Sequence, residues 1–251
     1  MGSLRNEDMR GEQLVHDFLE PYFYDRLKAK GLLKDYQSIT QRDQQFLGID
    51  VVMTSRNGAQ TKVDEKCALK YINTSLSTFA FELDFVQKGG GRATGWFIND
   101  ALETEYYFLM WLKGRPKTDA SGQELRRYDY IRQMTTDDLT EIELFTLSKK
   151  GLRRYLETAV GLTATGMAAR CIELRQAARR PEGQREKYRQ RGFIYQPQKN
   201  TIEFPVNEPI KYSLSMGLSE KPVNLVIKKS LLRELAHSAY RITPQALVQT
   251  K

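Results

Sequence analysis

"QQFLGIDVVMTSRNGAQTKVDEKCALKY", residues 44–71, has the outline of a β-hairpin. Residues 46–54 and 61–71 are the predicted strands, and Asn57-Gly58 between them is a strong turn signal because both residues tolerate positive φ. Charged residues interrupt both strands. Asp50 sits inside an apolar run, and Asp64, Glu65 and Lys66 stand together between Val63 and Cys67. Two readings are open: a solvated edge, or a sheet that gathers carboxylates and a lysine for chemistry.

Register decides between them. Residues two apart in a strand share a face, so Asp64 and Lys66 project together while Glu65 points the other way. A strict two-residue turn at Asn57-Gly58 pairs Asp50 with Glu65 and leaves Asp64 and Lys66 on the opposite face. A three-residue turn or a bulge shifts the pairing by one, bringing Asp50 opposite Lys66 with Asp64 diagonal to it. Convergence therefore requires an odd-length turn or a bulge.

Outward from the hairpin, residues 6–30 have a helical pattern, with Met9, Val15, Phe18, Leu19, Tyr22 and Phe23 recurring at three- and four-residue steps. Pro21 is expected to kink or divide this helix. Residues 78–85 alternate as a half-buried strand, with Phe79, Phe81, Leu83 and Phe85 on one face and Ala80, Glu82 and Asp84 on the other, where the two acids either face solvent, the favoured reading, or extend the acidic site. KGGGRATG, residues 88–95, lacks the spacing and terminal Lys-Ser/Thr of a phosphate-binding loop and reads as a turn. Strands are expected from Gly95 and over 105–112. Phe46, Trp96, Trp111 and the Tyr106-Tyr107-Phe108 cluster read as core aromatics. KGRPKTDASGQ, residues 113–123, is the best linker by composition. Beyond it, helices are expected over 149–158, 163–180 and 230–240, and strands over 210–216 and 223–228. The implied organisation is a core of residues 1–117 followed by a helical, basic part, 118–251, either separate or packed on the same domain.

Composition narrows the function classes. The 251 residues are 40% hydrophobic, enough for a substantial core. Lys and Arg number 39 against 31 Asp and Glu, a net +8 that suits a polyanionic partner. Residues 170–191 hold eight Lys or Arg against three Glu, with Tyr188 and Phe193 in or beside them. Arg175, Arg179, Arg180, Arg185, Lys187, Arg189 and Arg191 are thus candidate phosphate contacts, with an aromatic to stack on a base; the bland reading is an exposed charged helix and loop. Cys67 and Cys171 are far apart and read as reduced, buried thiols. With two histidines and no CxxC or HExxH, a nitrogen- and sulfur-ligated metal site has little to work with, whereas oxygen ligands are plentiful. No apolar run approaches the roughly 20 residues of a membrane span, and the first residues lack an apolar signal core, so a cytoplasmic protein without a membrane partner is expected.

Two converging carboxylates repel each other unless a hard cation such as Mg²⁺ lies between them. A neighbouring lysine could then stabilise charge developing on a phosphate. A helix with Glu12, a strand with Asp50, a turn, and then Asp64-Glu65-Lys66 resembles the PD-(D/E)XK nuclease superfamily, whose pattern is an acid at the end of one strand and acid-x-lysine on the next. The resemblance spans roughly residues 5–112; Ile49 stands where the name-giving proline would be, and Asp64 replaces the commoner glutamate. It implies an α/β fold with a restriction-endonuclease-like core, in which an N-terminal helix and a mixed sheet carry a catalytic β-hairpin, followed by a helical and strand-containing C-terminal part. It implies hydrolysis of DNA dependent on Mg²⁺ or Mn²⁺, as in restriction, repair or mobile elements. Asp50 would be the first metal ligand, Asp64 the second acid and ligand, Lys66 the catalytic lysine and Glu12 the helical glutamate, with the Glu65 backbone carbonyl a further metal contact. A homodimer would cut both strands of a duplex more easily. The alternative is a non-catalytic nucleic-acid-binding or assembly protein on a nuclease-like scaffold.

Overall fold

The computed structural model describes residues 5–251, apart from the side chains of residues 5, 6 and 42. In chain order the strands are β1 (Asp35–Ser38), β2 (Val51–Thr54), β3 (Gln60–Cys67), β4 (Thr78–Val86), β5 (Arg92–Thr94), β6 (Tyr106–Gly114), β7 (Leu139–Ser148), β8 (Ile194–Gln196), β9 (Thr201–Asn207), β10 (Ile210–Ser215), β11 (Val223–Lys228), β12 (Ser238–Ile242) and β13 (Leu247–Gln249). The α-helices are α1 (Arg5–Leu19), α2 (Asp25–Ala29), α3 (Arg42–Gln45), α4 (Arg127–Gln133), α5 (Lys149–Val160), α6 (Ala164–Ala178), α7 (Glu186–Arg189) and α8 (Lys229–Leu235). Seven strands form one sheet in the order β1-β2-β3-β6-β7-β12-β13, and six form another in the order β5-β4-β11-β10-β9-β8. The first sheet is mixed because β3 and β6 run parallel, whereas its other pairs are antiparallel.

The chain divides into two compact units, one running up to Leu76 and including Glu103–Gly151 and Arg233–Lys251, the other Ser77–Leu102 and Leu152–Leu232. The boundary expected near residue 117 is corrected by this division. The KGRPKTDASGQ loop connects β6 with α4 and β7, and β6 and β7 are antiparallel neighbours with Lys113 opposite Glu141, so the loop lies within the first unit. Parallel strands need a long crossover; between β3 and β6 that crossover carries β4 and β5 of the second unit.

The core of the first unit lies against one face of the seven-stranded sheet. Val15, Phe18 and Leu19 of α1, Val51, Val63, Phe108, Met110, Leu144 and Ile242 of the sheet, and Tyr130 and Ile131 of α4 are all buried there. The N-terminal helix is divided at Pro21 as expected: α1 ends at Leu19 and α2 begins at Asp25. Glu20–Tyr24 is one π-helical turn leading into α2, with the Asp25 N–H donating to the Glu20 carbonyl five residues back. A proline has no N–H to place in an i→i−4 ladder, and a wider turn accommodates that lack. Its consequence is that consecutive residues Phe23 and Tyr24 are both buried.

Several local expectations are corrected. Residues 46–48 form a turn rather than strand, and Phe46 is 69% exposed rather than core. Residues 96–98 are turn, because Gly95 breaks off β5 where its backbone passes the Glu82 carbonyl; a Cβ on Gly95 would lie 2.4 Å from that oxygen. The last helix ends at Leu235, and 238–240 are strand β12. Trp111 is core and packs on Phe145 at 4.8 Å between ring centroids.

Candidate active site

The turn of the first hairpin sets its geometry. Val51 pairs with Val63, Val52 with Lys62, Met53 with Thr61 and Thr54 with Gln60. The intervening loop, residues 55–59, is therefore five residues long. Asn57 Oδ1 accepts from Ser55 Oγ at 2.6 Å and from the Ala59 N–H at 3.1 Å, while Gly58 supplies the positive φ of +86°. The loop is odd in length, but Asp50 lies just before β2, outside the paired residues, where the backbone is irregular: its N–H donates to the Val63 carbonyl at 2.9 Å and its Oδ2 accepts from the Glu65 N–H at 2.7 Å, so it does not stand opposite Lys66 as the three-residue register requires. Val51 and Val63, both fully buried, hold this parity because a one-residue slip would expose them together.

One face of β3 then carries Asp64 and Lys66 beside Asp50. Lys66 Nζ lies 2.5 Å from Asp64 Oδ1, and the Asp50 carboxylate is close enough to hydrogen-bond the Asp64 carboxyl when a proton lies between them. Asp64 is 1% exposed, and its Oδ2 has no hydrogen-bond partner among the described residues. Burial pushes the Asp64 carboxyl up to about 8, with Asp50 raising it further against the opposing pull of Lys66. Burial disfavours the Lys66 ammonium too, but the charges of Asp64, Asp50 and Glu12 outweigh it and raise its pKa, so the side chain stays charged. A single ammonium thus sits in the field of three carboxyl groups. Glu12 is the third, on α1. Glu12 is exposed, and its pKa is raised by the atoms packed around it, with Asp50 and Asp8 adding to this and Lys66 opposing it.

Glu65 points to the opposite face, towards α1, so its carboxylate does not join the aspartates. Its Oε1 accepts from the Tyr24 hydroxyl at 2.5 Å and its Oε2 lies 2.9 Å from His16 Nδ1. Desolvation opposes a charged His16, but its hydrogen bond to Glu65 and the charges of Glu65, Glu20 and Asp17 raise the imidazole to about 8. The Glu65 main chain remains with the aspartates: its N–H donates to Asp50 Oδ2 at 2.7 Å. N–H and C=O of one strand residue point to the same side, so the Glu65 carbonyl also faces the β2 side. His16 and Tyr24 were not singled out from sequence. The legible signal was Glu12, His16 and Glu20 at four-residue spacing, one face of a helix.

Among the described residues, no group of three or more His, Cys, Asp or Glu side chains is arranged to hold a metal ion. Two carboxylates and a main-chain carbonyl are a smaller donor set, and a buried carboxylate oxygen without a donor is what a hard cation would satisfy. Such a set suits Mg²⁺, which keeps several of its own waters.

The basic segment lies in the second unit, and four of its seven candidate residues are ion-paired although its net charge stays positive. Arg175 is buried and ion-paired with Asp84, which also accepts from Arg92 Nε at 2.9 Å; Arg175 is therefore structural, and Asp84 is not on a solvent face. Arg185 pairs with Glu182, Arg189 with Glu182 and Glu186, and Arg191 with Glu173. Arg179, Arg180 and Lys187 are exposed and have no ion pair among the described residues. Tyr188 and Phe193 are buried, packing edge-on at 5.5 Å, and are not presented to a base. Half-buried Tyr195, under Arg185 and Arg189 at 4.9 and 5.5 Å, is the aromatic more open to solvent. Both cysteines are free thiols, Cys171 buried and Cys67 partly so.

No protein-family model, curated protein or solved structure matches this chain significantly. Among the described residues no helix is long and apolar enough to cross a membrane.

Proposed function

We propose that this chain is a metal-dependent nuclease of the PD-(D/E)XK kind, with a restriction-endonuclease-like core, that hydrolyses phosphodiester bonds in DNA. The observation that carries this reading is Asp64 and Lys66 side by side on β3 with the Asp50 carboxylate beside them, and a buried Asp64 oxygen that has no donor among the described residues. Asp50 and Asp64 would hold Mg²⁺ or Mn²⁺ with help from the Glu65 carbonyl. Bound there, the ion would supply Lewis acidity to a phosphoryl oxygen and a more acidic water. Lys66 keeps its ammonium charge and can donate to a phosphoryl oxygen as negative charge develops. Glu12 adds a third carboxyl to the field around that ammonium. Arg179, Arg180 and Lys187, exposed and without an ion pair among the described residues, support a polyanionic substrate.

The test is cleavage of supercoiled plasmid and of single-stranded DNA by wild type and Asp64→Ala, with and without EDTA. Wild type cleaves only with Mg²⁺ or Mn²⁺, and Asp64→Ala loses roughly 10²-fold or more in rate. Equal cleavage by both proteins would reject the site. DNA binding without cleavage by the wild type would favour a scaffold that binds nucleic acid without turnover.

A further inference from the structure

Behind the aspartate pair, β3 is tied to the N-terminal helix through hydrogen bonds that converge on Glu65. Beyond its contact with Glu65, His16 has Nε2 at 2.8 Å from Ser38 Oγ, and Ser38 Oγ donates to Glu20 Oε1 at 3.0 Å. Serine, histidine and glutamate joined in this order share the connectivity of an acyl-transfer triad. The protons exclude that use. Ser38 gives its proton to Glu20, so Nε2 must be the donor to Ser38 Oγ, and Nδ1 the donor to the Glu65 carboxylate. With both ring nitrogens donating, no base remains to take a proton from a nucleophile. The set holds groups in place instead.

Glu65 is the residue held. Its carboxylate is gripped on one face by Tyr24 and His16, and its main-chain N–H anchors the Asp50 carboxylate at the sheet end. His16 also lies one helical turn after Glu12, so whatever fixes His16 on β3 fixes where Glu12 stands relative to Lys66. We propose that His16 is a positioning residue of the aspartate site: through Glu65 it sets the β3 main chain that orients Asp50, and through α1 it sets the place of Glu12. Its consequence for metal binding rests on the nuclease reading, whereas the anchoring of Asp50 does not.

The experiment compares wild type, His16→Leu, His16→Asn and Asp64→Asn. His16→Asn keeps an N–H near the position of Nδ1; His16→Leu keeps bulk and removes both donors. Three readouts are taken: exchange of the Glu65 amide hydrogen, Mn²⁺ affinity by electron paramagnetic resonance, and urea unfolding. His16→Leu is expected to speed Glu65 amide exchange about tenfold or more beyond any global loss of stability. It is also expected to weaken Mn²⁺ binding roughly 10- to 100-fold, as loss of a ligand-orienting group does, and His16→Asn should recover most of both. Wild-type Glu65 exchange in a folded His16→Leu, or no recovery in His16→Asn, overturns the proposal. If wild type and Asp64→Asn bind Mn²⁺ equally poorly, the nuclease reading fails while Glu65 exchange still decides the role of His16. If His16→Leu does not fold, Glu65→Gln carries the same expectation, since it keeps an acceptor for Tyr24 and removes the charge that holds His16.

Discussion

Asp64 has one oxygen on Lys66 and the other without a donor, in a place where water does not reach it. Leaving a buried polar atom unsatisfied costs about 1–3 kcal/mol, and more for a charged group. The metal-free protein relieves this with a proton, and that has a sign. The folded chain keeps the Asp64 proton up to about pH 8, whereas the unfolded chain loses it near the ordinary carboxylate value of 3.8, so stability falls as pH rises between them. His16 acts in the same direction: its raised pKa contributes stability that is complete below 6.5 and lost as pH rises through about 8. Thermal melts of metal-free protein between pH 6 and 8.5 should therefore show a falling Tm, with a slope of at most about 1.4 kcal/mol per pH unit for each proton. Asp64→Asn should flatten that slope, and Mg²⁺ should stabilise wild type more at pH 8 than at pH 6, because binding releases the proton. Parallel Tm curves for wild type and Asp64→Asn would contradict the assignment of that proton.

Strand β4 shows how an element escapes its own periodicity. Phe79, Phe81 and Leu83 point inward as their alternation requires, yet Asp84 is buried as well. The pairing with β11 slips there: Asn224 faces Glu82 and Val223 faces Asp84, so Leu83 is an extra residue. A bulge of this kind resets the alternation beyond it. Gly95 fits over the same spot, its N–H donating to the Leu83 carbonyl at 2.8 Å. Asp84 is thereby turned towards Arg175 of α6 and Arg92 of β5. Removing one partner of a buried pair strands the other charge, so Asp84→Ala should cost about 3–5 kcal/mol in urea unfolding. A loss below 1 kcal/mol would mean that Arg175 finds water or another acceptor.

At the level of the whole chain, each unit is assembled from separate stretches of sequence. β6 lies between β3 and β7, and β12 and β13 complete the sheet on the far side of β7. A fragment of residues 1–117 would keep the proposed catalytic residues but lose Ile142, Leu144 and Ile242 from the core around them. It should give an undispersed amide proton spectrum and no cooperative thermal transition. A folded fragment would show that the hairpin and α1 are stable without β7 and β12.

The hairpin, the helix before it and the candidate residues were legible because each depends on short-range information: a turn dipeptide, a two-residue period, a 3.6-residue period. That Asp64 and Lys66 share a face follows from strand geometry alone. What brought Asp50 to them was the backbone just before β2, where the Asp50 N–H meets the Val63 carbonyl, and that register was fixed only once Val51 and Val63 were packed in the core. β7, the long strand beside β6, was missed because LTEIELFTLS is apolar on both faces at one end and mixed at the other, and so has no clean period. The division into units, the burial of Asp84 and Arg175, and the grip of His16 and Tyr24 on Glu65 were decided by tertiary structure. Each joins residues far apart in the chain, and no local pattern in the sequence records which charge meets which once water is excluded.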